Sequence, residues 1–370
     1  MKEQTFKKFM LFPLIPLIAA FVFDKLFFIG ETPYYFLNTA SFVNYEHKEE
    51  LIFEMKEYLS KKDRKKVLAI FGNSRTTSFS NSYIEKNYPD WILYNFSVPG
   101  GTSDYFYYLM GKFQKHNVRP DFILFTVTPQ GFNNASRIQM DEVMVYALPP
   151  AFIIQNLQHL RLDDITNYIA KKLFLSYKNK PLLTTIADRL KNHSEKKEIL
   201  KFFISRSREA LKESRGSVNL SPHEPVKDEV RMKKNAEDII NNFLRPFQYS
   251  KSQHYFTEKF LFIARELNIP SALLWARVSP DLRQMKNKLK IANLSKDKKI
   301  TVREAWEKHM IHLADKYKVK FLDMNYETDF QCDLFQDASH MAGHCFPEFT
   351  DYLFNEINDI KSGRTSANTD

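Results

Sequence analysis

Ser74 stands at the end of an apolar run, in Phe71-Gly72-Asn73-Ser74-Arg75, and Asp337-Ala338-Ser339-His340 follows some 260 residues later. A hydroxyl nucleophile needs a base to take its proton, and the base needs a carboxylate to orient it. Asp337 and His340, three residues apart, can supply both from one short loop. Each piece also has a plainer reading: serine is a preferred helix N-cap, and D-x-x-H is a common pattern. The chain holds only nine glycines. Gly72, Gly100, Gly101 and Gly131 fall just after apolar runs, where glycine allows a tight turn and lets backbone N–H groups face a ligand.

These residues need a frame that gathers strand ends. Val67–Phe71, Ile92–Phe96, Phe122–Val127 and Ala272–Trp275 have the length and the β-branched or aromatic content of buried parallel strands, and Val319–Leu322 is a shorter fifth. Helical patterns such as Thr102–Gln114 and Val302–Tyr317 lie between them. Alternation of this kind predicts an α/β fold, an open parallel sheet with helices on both faces. Its chemistry belongs at the carboxyl ends of the strands. The third-to-fourth connection is too long for a simple crossover, so 132–256 reads as a mostly helical insertion. Ile165–Tyr177 and Leu200–Leu211 are its amphipathic stretches, and Ser214–Lys227 is its loop.

Together, Gly72-Asn73-Ser74, the glycine block Asn95-Phe96-Ser97-Val98-Pro99-Gly100-Gly101-Thr102 and Asp337-Ala338-Ser339-His340, in that order, resemble the SGNH (GDSL-like) hydrolase superfamily. The resemblance covers roughly Lys66 to Ile357 and implies a flavodoxin-like sheet. It implies Ser74 as nucleophile, His340 as general base and Asp337 as its orienter, with the Ser74 and Gly100 N–H groups as oxyanion donors. No cofactor and no metal are expected. The family's third block usually adds a side-chain donor from a G-x-N-D sequence. Here the stretch reads Thr128-Pro129-Gln130-Gly131-Phe132-Asn133-Asn134, and Thr128, Gln130 and Asn133 are the substitutes on offer.

Arg75, beside Ser74, and Arg277, at the end of the fourth strand, are candidate substrate-binding residues for a phosphate or carboxylate, or else partners in salt bridges. Cys332 and Cys345 bracket the Asp337–His340 loop and can pair in an oxidising compartment or remain two buried thiols. His309 and His312 have helical spacing but no third ligand, which favours an exposed helix face. Asp337, His340 and His344 would need Cys345 to complete a zinc site.

Lys+Arg 54 against Asp+Glu 44 gives a net charge of +10, which favours anionic partners. Phe9–Phe23 carries no charge, Asp24-Lys25 interrupts it, and Leu26–Ile29 resumes it, with Lys2, Lys7 and Lys8 ahead. This predicts an uncleaved single-pass transmembrane helix with lysines inside and the main domain extracytoplasmic. Asp24 and Lys25 then reach the membrane interface. A cleaved signal peptide is the rival reading. The expected organisation is an anchor over 1–30, a helical linker over 31–65, the SGNH-like α/β domain over 66–360 and a disordered tail over 361–370. The expected function is a serine esterase or O-acyltransferase acting on an anionic envelope polymer or lipid ester, with a membrane-bound acyl-donor protein as a further partner and no nucleic acid. The alternative is a catalytically silent SGNH-like module that binds polysaccharide or a membrane acyltransferase.

Overall fold

The computed structural model describes residues 14–26, 28–31, 33–36, 42–135, 140–179, 182–191, 195–218, 224–291, 300–326 and 330–362. The chain divides into two compact units, Met1–Val43 with Met144–Ser207, and Asn44–Val143 with Arg208–Asp370. The second unit is α/β. Its five strands are β1 Lys66–Phe71, β2 Trp91–Asn95, β3 Phe122–Thr126, β4 Ser271–Trp275 and β5 Lys320–Asp323. They pair in the order β2-β1-β3-β4-β5, and every pair is parallel. Each lies within a residue or two of the run read from the sequence. Phe96 and Val127 fall just past their strands, although their N–H groups still donate to the neighbouring strands, to Ile70 O at 2.7 Å and to Leu274 O at 2.8 Å.

Phe71 closes β1 inside an aromatic cluster, with ring centroids 5.0 Å from Phe96, 5.4 Å from Phe113 and 5.1 Å from Phe260. Burying such a ring contributes roughly 1.5–3 kcal/mol. Helix Ser103–His116 supplies Phe106, Leu109, Met110 and Phe113 to this core, the i, i+3, i+4, i+7 face that an amphipathic helix buries. It stops where Asn117 turns left-handed at φ 53°. Helix Lys251–Glu266 packs against it with Phe256, Phe260 and Ala264. Helix Val302–Tyr317 begins with a reciprocal capping box between Thr301 and Glu304.

Part of the stretch expected to be a linker belongs to this core. Helix Lys48–Leu59 buries Leu51, Ile52 and Met55. Its first residue, Lys48, is fully buried, and its Nζ donates to Asn95 O at 2.7 Å and to Gly216 O at 2.8 Å. Gly216, at φ +86°, leaves no room for a Cβ, which would lie 2.2 Å from Asn95 O. Of the expected insertion 132–256, only Met144–Ser207 falls outside the α/β unit. Residues 219–223 of the expected Ser214–Lys227 loop and 363–370 of the tail lie outside the described residues.

The first unit is helical. Its apolar helix Leu14–Leu26 has 13 residues, about 20 Å at 1.5 Å per residue. Among the described residues no helix is long and apolar enough to cross a membrane. Phe9–Pro13 of the expected span, and Lys2, Lys7 and Lys8, lie outside them. Asp24 does not stand free at an interface: it is 6% exposed and accepts from the Leu175 and Ser176 N–H groups at 2.7 and 2.8 Å. Those are first-turn donors of helix Leu175–Asn179, which have no acceptor within their own helix. Lys25 Nζ donates to Leu173 O.

Lys48→Met keeps most of the apolar stem and strips two buried carbonyls of their donor. Leaving a buried polar group unsatisfied costs about 1–3 kcal/mol. Chemical denaturation should show a loss of at least that size. An unchanged midpoint and slope would mean that Lys48 does not hold β2.

Candidate active site

Ser74 follows β1 in a single 3-10 turn, Ser74–Thr76. The residue that caps this turn is Asn73, whose Oδ1 accepts from Arg75 N at 3.1 Å. The Ser74 Oγ is therefore not spent on capping. It lies 2.6 Å from His340 Nε2. With Nδ1 carrying the ring proton, His340 donates to Asp337 Oδ2 at 2.8 Å. Ser74, His340 and Asp337 thus meet in the arrangement that a nucleophile, its base and an orienting carboxylate would need.

The base arrives on a hairpin, β6 Phe335–Asp337 and β7 His340–Met341. Asp337 Oδ1 accepts from the Ser339 and His340 N–H groups at 2.8 and 3.0 Å, so the carboxylate shapes the turn as well as the ring. Burial pushes the Asp337 carboxyl up, but hydrogen bonds from His340 and Ser339 outweigh it and hold the group down at about 2. Four contacts fasten the hairpin to the sheet unit. Arg75 Nε donates to Ser339 O at 2.9 Å, Ser279 N to Ala338 O at 3.0 Å and Val226 N to Phe335 O at 2.8 Å. Ala338 N in turn donates to Asn235 Oδ1 at 2.9 Å. Cys332 and Cys345 are joined in a disulfide that closes the loop around both residues. Cys345 is therefore not a free thiolate that could complete a zinc site with Asp337, His340 and His344.

The glycine block is stitched to the nucleophile turn. Val98 N donates to Gly72 O at 2.9 Å and Asn95 Nδ2 to Thr76 O at 2.8 Å. A Cβ on Gly72 would sit 2.3 Å from Thr76 Oγ1, and one on Gly101 would sit 2.3 Å from Phe106. Val98-Pro99-Gly100-Gly101 closes with Gly101 N donating to Val98 O at 3.0 Å, and Gly100 has φ +65°. That is the type II pattern, with proline second and glycine third. Neither the Ser74 N–H nor the Gly100 N–H is bonded to another described residue.

The three candidate donors after β3 separate clearly. Asn133 is committed to scaffolding: its Nδ2 donates to Phe243 O and Pro246 O, each at 2.9 Å, and its Oδ1 accepts from Gln248 N at 2.8 Å. Thr128 caps the turn Pro129–Phe132, with Oγ1 accepting from Gly131 N. Gln130 is 6% exposed, and neither atom of its amide is bonded among the described residues. It is the uncommitted amide of the three.

Arg75 is 9% exposed and, Nε apart, has no described partner for its guanidinium. Burial pushes it down to about 10 against the opposing Asp337 charge, so it remains a cation at neutral pH. Arg277 takes the other course open to it. It grips Asp333 bidentately at 2.6 and 3.0 Å and donates to Met324 O, which commits it to the scaffold. Beside Asp337 a cleft of about 230 Å³ is lined by Arg231, Lys234, Asn235, Asp238 and Gln336, two cations against the carboxylates of Asp238 and Asp337. His309 stacks on Tyr249 at 3.9 Å, and among the described residues no group of three or more His, Cys, Asp or Glu could hold a metal ion. Sequence reasoning missed Lys48, Asn235 and the fully buried Lys286, whose ammonium burial drives toward the neutral amine. No spacing marks Lys48 or Asn235, since each bonds backbone groups distant in the chain, while the Lys286 ammonium lies 5.3 Å from the Trp275 ring.

Two outcomes check this geometry. The Asp337 value lies below its unfolded value of 3.8, so its stabilisation is complete above about pH 4 and disappears as pH falls through about 2. Discounted for its partial exposure, that is about 1 kcal/mol. Asp337→Asn should therefore show its deficit at pH 7 and little near pH 2, and an equal deficit at both would contradict a carboxylate held charged by its hydrogen bonds. Separately, the disulfide spans 13 residues, a closure worth about 3 kcal/mol in chain-entropy terms. Denaturation with and without reductant should differ by that order, and Cys332→Ser should remove the difference.

No curated protein matches the chain. A family model described as "Protein of unknown function (DUF1574)" matches residues 5–357, and the chain belongs to that family.

Proposed function

We propose that this chain is a membrane-anchored, extracytoplasmic SGNH-like serine esterase or O-acyltransferase that acts on an anionic envelope polymer or lipid ester. The observation that carries the reading is the 2.6 Å contact between Ser74 Oγ and His340 Nε2, with Asp337 on the opposite ring nitrogen. Supporting it, the order β2-β1-β3-β4-β5 is the flavodoxin-like order. The disulfide suits an oxidising compartment. Arg75, a buried cation beside the Ser74 turn, suits a substrate with negative charge.

His340 Nε2 takes the hydroxyl proton as Ser74 Oγ attacks the ester carbonyl. The Asp337 carboxylate stabilises the imidazolium that forms. The Ser74 and Gly100 N–H groups and the Gln130 amide take the oxyanion. Collapse expels the alcohol, which receives the proton from His340, and leaves an acyl-serine. A second acceptor then enters, gives its proton to His340 and takes the acyl group, and His340 returns that proton to the departing Ser74 Oγ. Water gives hydrolysis, and a sugar or lipid hydroxyl gives transfer. The rival reading, a silent module that binds polysaccharide or a membrane acyltransferase, draws on the third block, where none of Thr128, Gln130 and Asn133 matches the family pattern residue for residue.

Ser74→Ala and His340→Ala should each abolish turnover of small esters, and the double variant should lose little more, because nucleophile and base act as one unit. Both should melt close to the parent. Gln130→Ala should cost about 100- to 1000-fold in kcat, the usual loss for one oxyanion donor. A Ser74→Ala chain that turns over ester like the parent would end the proposal. A reporter fused after Asp370 should be active only outside the cytoplasm, and a cytoplasmic signal would remove the envelope substrate.

A further inference from the structure

The helical unit of Met1–Val43 and Met144–Ser207 buries Val145, Leu148, Phe152, Ile153 and Tyr168 but leaves much apolar surface outside. Among the described residues 26 large apolar side chains are exposed, and 21 of them lie in this unit. Nine belong to residues 14–29. The other twelve lie between Ile154 and Phe203, and the exposed ones form stripes at helical spacing. Helix Leu162–Leu173 shows Leu162, Ile169 and Leu173 at 76, 49 and 47% exposure. Helix Leu183–Lys191 shows Leu183 and Leu190 at 82 and 60%. Helix Glu195–Glu213 shows Ile199, Phe202 and Phe203 at 45, 61 and 57%.

In a water-soluble unit these i, i+3, i+4, i+7 positions face the core. Soluble monomers rarely leave contiguous apolar surface beyond a few hundred Å² uncovered. The polar faces decide what covers it. Residues 144–207 carry eleven Lys/Arg against five Asp/Glu, and Lys172, Arg189 and Lys191 stand on the same helices as the stripes. Apolar faces edged with lysine and arginine are the composition of helices that lie in the plane of an anionic bilayer, with the rings and aliphatic chains below the headgroups and the cations among them. Helix Leu14–Leu26 belongs to the same unit and is apolar on nearly every side. Its Asp24 is bonded to the start of helix Leu175–Asn179.

We infer that the helices of residues 150–206 are a second membrane contact, lying on an anionic lipid surface through the stripes of Leu162, Leu183 and Phe203. This contact is independent of the acyl-serine reading, and a Ser74→Ala chain should show it unchanged.

The test uses the full chain reconstituted in lipid vesicles. Cys332 and Cys345 are paired, so without reductant a single new cysteine can be labelled with a polarity-sensitive fluorophore. Leu162→Cys, Leu183→Cys and Phe203→Cys report on three separate stripes, and none is a core residue. Val230→Cys, 79% exposed in the other unit, is the control. On vesicles of phosphatidylcholine with phosphatidylglycerol, the three stripe labels should shift to the blue and be quenched by brominated lipid chains. The label at position 230 should do neither. On phosphatidylcholine alone, or in high salt, the shift should weaken. Stripe labels that stay water-like on chains bound to anionic vesicles would overturn the proposal. So would a shift without vesicles that accompanies self-association, which would assign the stripes to a second copy. A shift seen only in membranes containing other integral proteins would also overturn it, in favour of a protein partner.

Discussion

An imidazole has to be held against a hydroxyl that lies 266 residues away along the chain, and most of the α/β unit can be read as the means of doing this. The separation between Ser74 Oγ and His340 Nε2 is set by two bodies that share little sequence. One is the turn after β1, fixed by the Asn73 cap, the absence of a Cβ at Gly72 and the bonds from Val98 and Asn95. The other is the β6–β7 hairpin, fixed by Asp337 from inside and by Arg75, Ser279, Val226, Asn235 and the disulfide from outside. Loosening either one changes a distance in which 1 Å matters to proton transfer.

Arg75 links these two bodies. Its Nε joins the nucleophile turn to the hairpin through Ser339 O, while the rest of its guanidinium has no described partner. A cation in that place steadies the hairpin and, on the function proposed above, would receive a negatively charged group of a substrate. Arg277, which the sequence makes an equal candidate, lacks this second freedom because Asp333 occupies its fork. The difference arises from Asp333, a residue whose position relative to Arg277 only the fold decides.

Much of the α/β unit could be read before the structure. Strands buried on both faces are continuous apolar runs, and Val67–Phe71 or Phe122–Val127 has few other uses. Ser74, His340 and Asp337 were legible because each stands at a strand or hairpin end and glycine is scarce elsewhere. The oxyanion candidates after β3 could not be ranked, because nothing local says that Asn133 is consumed by Phe243 O and Pro246 O while Gln130 is left free. Lys48 was invisible for the same reason: a lysine at the start of a helix looks solvated, and its two carbonyl acceptors lie far along the chain. The division of the insertion at Met144 and Ser207 was hidden more deeply. Periodicity shows that a helix has an apolar face but does not say which way it turns, and in residues 162–203 it turns outward.

The central claim is that Ser74 is an activated nucleophile rather than a capping residue. Its most direct test is peptide mapping by mass spectrometry after treatment with a serine-reactive phosphonate. A single adduct on Ser74, abolished in the His340→Ala chain, is the result this account predicts. A folded parent chain that carries no adduct, or carries it on another serine, would contradict it.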